Sequence, residues 1–154
     1  MEGFSTDCPV VLVTGAAKRI GAAVSSRFHE SGYITLIHFN RSELEAEQLC
    51  AKLNGLRAES AFLVQGDLNN SRTLDTIIKE VTKLGRLDVL VNNASSFYPT
   101  PLEAASEGQW NDLMNSNLKG PFFLCQRLAK VLTQNSGSIV NLADIHAYQA
   151  LKDH

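Results

Sequence analysis

The sequence predicts an α/β fold, in which helices cover both faces of a doubly wound parallel sheet. Short apolar runs alternate with longer segments of helical periodicity along the chain, as in strands joined by helical crossovers. The runs are rich in Val, Ile and Leu without polar alternation, which is typical of strands buried on both faces. The links are short, and right-handed crossovers favour the strand order 3-2-1-4-5 in three layers, α/β/α.

Three strands and two helices are predicted in the first half of the chain. The strands are expected at residues 9–14, 33–39 and 60–65. The first helix is predicted to end near residues 31–32 and to place four apolar side chains on one face: Ile20, Ala23, Val24 and Phe28. The second helix begins with a capping-box pattern at residues 42–45 and ends near residues 53–55.

The second half begins with a helix, a strand and an irregular loop. The helix is capped by Asn70 or Ser71 and is predicted to end at Gly85. A fourth strand is expected at residues 87–91. Residues 92–102 contain two prolines, and we expect no regular structure there.

A long helix and a fifth strand complete the predicted fold. Ser106 has the position of a helix cap, and a long helix is expected to run from it to about residue 134. The fifth strand is expected at residues 137–142. Strand and helix therefore alternate to the end of the chain.

Composition and charge place the chain among ordinary globular proteins. It has 154 residues, 44% hydrophobic and 19% charged, so we expect one domain over residues 1–154. A net charge of −2 without a basic cluster argues against nucleic acid as a partner, and no apolar run is long enough to cross a membrane. The three cysteines lack metal-ligand spacing and residues 1–8 lack a signal pattern, so we expect a cytoplasmic protein with reduced thiols and no metal.

A glycine turn follows the first predicted strand. Ligands of parallel α/β sheets bind at the carboxyl ends of the strands, where the strand order reverses. Gly15 permits a tight turn there, and the next helix directs free N–H groups and its positive dipole end at the turn, which suits a phosphate. Gly21 lets this helix lie close to the sheet. Both glycines could merely shape a turn, but the buried strand before them and the helix after them favour a dinucleotide.

Several motifs, in order, resemble the short-chain dehydrogenase/reductase family. They are the glycine turn with Ile20 and Gly21, the run Asn92-Asn93-Ala94 after the fourth strand, and Asn117 in the long helix. The resemblance covers about residues 9–150. It implies a Rossmann-like domain that binds a nicotinamide dinucleotide.

Four further features are similar to the pteridine reductase branch of that family: Arg19 in place of the middle glycine, residues 38–42, the loop 93–102 and residues 144–147. This resemblance implies an NADPH-dependent reductase of a pterin, a dihydropterin or dihydrofolate, whose parent enzyme is a homotetramer. Two alternatives stay open. One is a generic carbonyl or 3-oxoacyl reductase, and the other is a non-catalytic NADP-binding protein.

The residues after the second strand predict NADP rather than NAD. An NAD site places Asp or Glu there, whereas this chain has Asn40, Arg41 and Ser42, with no acid before Glu43. Arg41 would hold the 2′-phosphate through charge-assisted hydrogen bonds of about 1.5–3 kcal/mol each. The resemblance implies that Arg19 adds charge near the pyrophosphate. Alternatively, Arg41 is a solvated surface residue and Ser42 only caps its helix.

Residues after the third and fourth strands complete the predicted cofactor site. Asp67 and Leu68 resemble the family's adenine-contacting pair, although Asp67 could equally be a helix-start aspartate. Asn93 and Ala94 would line the cofactor cleft, with Ser95 near the phosphates.

Three residues are predicted to act on the substrate. Phe97 lies in the proline-constrained loop and would be either core lining or, as the resemblance implies, a plate that stacks on the pterin. Asp144 replaces the family's usual Ser and would relay a proton or orient the substrate's amino group; its alternative is a loop or cap carboxylate. Asn117 is a poor helix former, and in the family this residue supports a proton relay.

The Tyr-x-x-x-Lys pair of the resembling branch is expected about a dozen residues beyond Asp144. Tyr148 and Lys152 have that spacing but lie too close to the end of the fifth strand to form it. We therefore expect a domain that is incomplete at its C-terminus, without the last strands of the family and with little or no turnover. The fifth strand would then be an exposed apolar edge, which favours aggregation.

Overall fold

Five parallel strands form one sheet in the computed structural model, which describes residues 7–149. The strands are β1 (Val10–Val13), β2 (Ile34–Phe39), β3 (Ala61–Gln65), β4 (Val89–Asn92) and β5 (Ser138–Asn141). Their order is β3-β2-β1-β4-β5, with every neighbouring pair parallel. The predicted strand order is confirmed, and the strand order reverses between β1 and β4.

Helices connect the strands and cover both faces of the sheet. They are α1 (Arg19–Glu30), α2 (Glu43–Leu56), α3 (Ser71–Leu84), α4 (Glu107–Met114) and α5 (Gly120–Gln134), with a short 3₁₀ turn at Ile145–Ala147. Asn70 caps α3 by accepting a hydrogen bond from the backbone N–H of Arg72. Ser106 caps α4 in a capping box with Gln109.

The core has two halves because consecutive residues of a strand face opposite sides of the sheet. Along β1, Leu12 belongs to the half that packs on α3 and α5, and Val11 and Val13 belong to the half that packs on α1 and α2. All four β1 residues and all six β2 residues are buried. Burial on both faces explains why β1 is a continuous apolar run and why most residues of β2 are apolar.

The predicted apolar face of α1 is wrong in part. Ile20 is 61% exposed and Ala23 is also exposed, whereas the buried residues are Gly21, Ser25 and His29. The start of the helix lies too close to the turn after β1 for a large side chain, since a Cβ on Gly21 would meet the backbone oxygen of Gly15 at 2.3 Å. Gly21 therefore occupies this contact and Ile20 lies at the surface, whereas Val24 and Phe28 pack against the core as predicted.

The predicted long helix is interrupted by a π-helical turn at Asn115–Lys119. Pro121 lies at the start of α5 and has no N–H to donate to the carbonyl four residues earlier. Asn117 lies inside the turn, and its side chain bonds to the loop after β4. Single π-helical turns inside α-helices occur often at functional sites.

The β5 edge of the sheet is exposed in the part of the chain that the structure describes. All four residues of β5 are exposed, including Ile139 and Val140, and Leu142 beyond the strand is 41% exposed. This exposure is what the sequence predicts for β5; aggregation through it stays a prediction. Among residues 7–149, no helix has the length and apolar character needed to traverse a bilayer.

Candidate functional site

A cleft of about 650 Å³ opens at the carboxyl ends of β1, β2, β3 and β4. All the residues predicted to hold a cofactor line it: Gly15, Arg19, Ile20, Gly21, Asn40, Arg41, Ser42, Asp67, Leu68, Asn93, Ala94 and Ser95. These residues come from four separate connections of the chain. The parallel topology brings them to one place because it aligns the ends of the strands.

The turn after β1 requires glycine at two positions. Gly15 has a φ of +61°, and a Cβ there would lie 2.9 Å from the Cα of Ala94. A Cβ on Gly21 would meet the backbone of Gly15 and the side chain of Asn93. Lys18, the N-cap of α1, makes no side-chain capping bond, so the first-turn amides of α1 receive no acceptor from it. Amides in this position are suited to bind an anion.

Asn93 fastens this turn to the end of β4. Its side-chain amide donates to the backbone oxygens of Thr14 at 2.9 Å and Gly15 at 3.0 Å. The Thr14 hydroxyl oxygen accepts the backbone N–H groups of Asn93 and Ala94, each at 3.0 Å. The amide of Asn93 thus shapes the wall of the cleft by holding the turn.

Three cationic side chains line the cleft. Lys18 is paired with Glu45 at 2.6 Å, and a hydrogen bond from Lys18 lowers the pKa of Glu45. Arg19 is exposed and has a left-handed φ of +50°, which explains why a glycine is usual at this position in the resembling family. Arg41 is exposed, and among the described residues no ion pair neutralises it.

Ser42 and Asp67 border the same cleft. Ser42 is the N-cap of α2, but its side chain forms no capping hydrogen bond, so its hydroxyl is not committed to that role. Asp67 accepts the backbone N–H of Asn69 at 2.9 Å through one carboxylate oxygen. This contact shapes the start of the loop before α3, and Asp67 itself lines the cleft.

The three residues predicted to act on the substrate do not line the cleft that holds the cofactor residues. Asn117 accepts the backbone N–H of Ser96 at 3.0 Å and donates to its carbonyl oxygen at 2.8 Å. Phe97 follows directly and is 57% exposed. Asp144 is exposed and accepts the backbone N–H of His146 at 2.9 Å, as the cap of the short 3₁₀ turn.

Sequence reasoning missed several residues of the cleft: Ala17, Lys18, His38, Phe39, Asn69, Ser96, Asp112 and Ser116. The sequence could have indicated two of these residues. Asp112 and Ser116 are four residues apart, so in a helix they share one face, and Ser116 directly precedes Asn117. Asp112 also accepts the hydroxyl of Tyr98 at 2.9 Å. His38 is buried at the end of β2, and its apolar neighbours concealed it.

Comparison with known proteins gives concordant matches. A family model described as short chain dehydrogenase matches residues 9–152. The chain is 38% identical to pteridine reductase 1 of Leishmania tarentolae, in an alignment that covers 96% of this chain and 64% of that protein. It is 34% identical to the 3-oxoacyl-(acyl-carrier-protein) reductase FabG of Staphylococcus aureus, covering 87% of this chain and 55% of that protein.

The chain thus spans between about half and two thirds of the length of these relatives. Both relatives are named as reductases. The chain belongs to the short-chain dehydrogenase family of oxidoreductases, and it resembles the pteridine reductase branch of that family.

Proposed function

We propose that this protein is an NADPH-dependent reductase whose substrate is a pterin, a dihydropterin or dihydrofolate. The observation that carries the cofactor assignment is the position of Arg41 and Ser42. They lie at the end of β2, on the same cleft as the glycine turn, with no carboxylate at residues 40–42. A 2′-phosphate there would meet a guanidinium, a hydroxyl and the N-terminus of α2.

The chemistry of the cleft fits such a cofactor. Arg41 and Arg19 carry positive charge beside the first turn of α1, which the Lys18 side chain does not cap. Asp67 offers a carboxylate oxygen to an adenine amino group, and Leu68 contributes an apolar wall. When bound, NADPH supplies the hydride. The protein's own part is to fix the phosphates, shape the cleft through Asn93 and exclude competing orientations.

The substrate assignment rests on the relative and on two residues of the chain. Pteridine reductase 1 has the higher identity of the two relatives described above. Phe97 is an exposed aromatic ring just beyond the cleft-lining Ser95 and Ser96, where it can stack on a flat heteroaromatic ring. Asp144 would accept hydrogen bonds from the substrate's amino group or relay a proton. Asn117 would support these groups by holding the Ser96 backbone.

A second candidate is reduction of a 3-oxoacyl thioester, which the similarity to FabG favours. The two candidates share the hydride donor and differ in the substrate groups that must be recognised. A pterin presents a planar ring with an amino group, whereas a thioester presents a flexible chain. A stacking ring and a carboxylate suit the former.

Turnover by residues 1–154 alone is expected to be low. Within the described range no tyrosine has a lysine four residues later, and Tyr148 is 93% exposed; Lys152 lies outside that range. A general acid is worth typically about 10²–10⁴-fold in rate. Binding of the cofactor does not require this group, so binding and turnover are tested separately.

The test of the cofactor assignment is titration of the purified chain with NADPH and NADH by calorimetry. We expect tighter binding of NADPH, and Arg41→Met should weaken it by about 10- to 100-fold, since one charge-assisted bond is worth about 1.5–3 kcal/mol. NADH binding should change little. Arg27→Met, on the exposed far end of α1, is the matched control. Equal affinity for both cofactors, or equal losses in Arg41→Met, would refute the assignment.

The test of the substrate assignment measures binding, because turnover is expected to be low. A dihydropterin, dihydrofolate and a 3-oxoacyl thioester are each titrated into the chain in the presence of NADP⁺. Binding of a pterin or of dihydrofolate that weakens in Phe97→Ala supports the first candidate. Binding of the thioester alone would overturn it.

A further inference from the structure

We propose that His38 is a positioning residue for the cofactor, because its ring fixes the phosphate-binding turn from behind. The inference rests on the proposed binding of NADP. The backbone N–H of Gly15 donates to Nδ1 of His38 at 3.2 Å, and Nε2 lies 3.0 Å from the carbonyl oxygen of Gly66. One ring at the end of β2 thus links the loop after β1 to the loop after β3.

These contacts define one tautomer of the ring. Nδ1 accepts a hydrogen from a backbone amide, so it carries no proton. Nε2 faces a carbonyl oxygen, which only accepts, so Nε2 carries the proton. The ring is 2% exposed, and burial lowers the pKa of His38 to about 4, against smaller opposing effects of the hydrogen bond to the Gly66 carbonyl and of the nearby Asp67 carboxylate. The side chain is therefore neutral at physiological pH, with its donor and its acceptor both used.

The contacts also determine which amides are left for a phosphate. The N–H of Gly15 bonds to the His38 ring, and the N–H of Ala16 bonds to the His38 carbonyl oxygen at 2.8 Å. Both amides point back to β2. The anion must then be bound by amides further along, at the start of α1, and by the side chains of Arg19 and Arg41. His38 contributes by aiming that helix start, without touching the anion.

A purely packing role for the ring makes a different prediction. If only its volume mattered, any polar side chain of similar size would serve equally well. If the acceptor for Gly15 matters, the position of that acceptor decides the outcome. Asn places its oxygen where Nδ1 lies, whereas Gln places its terminal atoms where Nε2 lies. The two variants therefore separate the contact to Gly15 from the contact to Gly66.

The experiment measures the Kd of NADP⁺ for the 154-residue chain and for His38→Asn and His38→Gln. We expect His38→Asn to bind within about threefold of the parent chain. His38→Gln should bind about tenfold or more weakly, as one lost hydrogen bond of about 1.4 kcal/mol implies. Unfolding in urea is measured alongside. Equal affinities for the two variants, or affinities that follow the unfolding midpoints, would overturn the inference.

His29→Gln is the matched control. His29 is the second buried histidine, and its Nε2 lies 2.7 Å from the hydroxyl of Ser60, a residue that does not line the cleft. This variant should lower stability and leave the Kd of NADP⁺ unchanged. A change in Kd as large as that of His38→Gln would show that affinity reports general stability and would overturn the inference.

A measurement without the cofactor separates this inference from the proposed function. The ¹⁵N shifts of the His38 ring should show a proton on Nε2 alone between pH 6 and pH 8. The opposite tautomer or a charged ring would overturn the inference even if NADP⁺ binds. Failure of the parent chain to bind NADP⁺, with the expected tautomer present, would instead refute the proposed function, and with it the role of His38 in binding.

Discussion

Asn93 donates two hydrogen bonds to Thr14 across the point where the strand order reverses. The backbone N–H of Asn93 donates to the Thr14 hydroxyl at 3.0 Å, and the Asn93 side chain donates to the Thr14 carbonyl oxygen at 2.9 Å. The loops that follow the neighbouring strands β1 and β4 run to opposite sides at this point, and ligands of parallel α/β sheets bind in the crevice between such loops. The pair therefore ties together the two walls of the cleft and sets its width.

Thr14→Val should destabilise the fold by about 2 kcal/mol. Val has nearly the same shape, but it removes the oxygen that accepts the N–H groups of Asn93 and Ala94 at a buried position. The free energy of unfolding in urea measures the loss. We also expect weaker NADPH binding, because the turn of Gly15 loses its connection to β4.

Thr35→Val provides the matched control for this substitution. Thr35 is equally buried, in β2, but its hydroxyl oxygen has no hydrogen-bond partner in the described structure. Removal of an unsatisfied polar group should be neutral or stabilising, by up to about 1 kcal/mol. A loss as large as that of Thr14→Val would mean that the hydrogen bonds of Thr14 do not cause its effect.

Gly21→Ala should be disruptive although Ala is the better helix former. The added methyl group would lie 2.3 Å from the Gly15 carbonyl oxygen and 2.7 Å from the Asn93 side-chain nitrogen. We expect a loss of about 1–3 kcal/mol in the free energy of unfolding, with the helix start pushed away from the cleft. Gly55→Ala, in α2, meets no atom within 4 Å and should stabilise by about 0.5–1 kcal/mol. If the two substitutions had the same sign, close packing would not explain Gly21.

The strands and their order were predictable because a strand that is buried on both faces needs apolar side chains at nearly every position. The strands of the interior are rich in Val, Ile and Leu, and a helical segment separates each strand from the next. The cleft was predictable because the segments that follow parallel strands must lie at the same edge of the sheet. The twelve residues predicted to hold a cofactor come from four such segments, and all of them line one cleft.

Features that depend on contacts between distant segments were not predictable in this way. The buried face of α1 is set by how closely the sheet approaches Gly21, and helical periodicity does not record that distance. Asn117 is recognisable from the sequence as a poor helix former, but its bonds to Ser96 depend on where the loop after β4 lies. His38 reads as one more residue of a buried strand, and only the fold shows that Gly15 and Gly66 flank its ring.

Arg19→Gly should stabilise the chain and weaken its binding of NADPH. Arg19 has a left-handed φ of +50°, which costs a residue with a side chain roughly 1–2 kcal/mol, while glycine adds entropy to the unfolded chain. We expect a net gain of up to about 1 kcal/mol in urea. Glu59→Gly, with a φ of +54° and far from the cleft, should give a similar gain without changing affinity. If Arg19→Gly kept full affinity for NADPH, its guanidinium would have no part in binding.

The two buried histidines should make the fold sensitive to mild acid. Burial lowers the pKa of His38 to about 4, and burial followed by the charge of Arg57 lowers the pKa of His29. An unfolded histidine titrates near pH 6.5, so below that pH the unfolded chain binds protons that the folded chain refuses. Stability is therefore complete above about pH 6.5 and is lost as the pH falls towards 4. For His38 alone, the loss between pH 7.5 and pH 5 is about 2 kcal/mol.

Urea unfolding at pH 7.5, 6 and 5 measures this loss, in a range above the ordinary pKa of Asp and Glu side chains. His38→Asn removes the titrating group and should reduce the loss between pH 7.5 and pH 5 by about 2 kcal/mol. The dependence on pH that remains in the unfolding free energy of this variant then comes from His29 and the exposed groups. An unchanged slope would mean that water or a counter-charge reaches the His38 ring on protonation, and that the turn of Gly15 is less rigid than its hydrogen bonds imply.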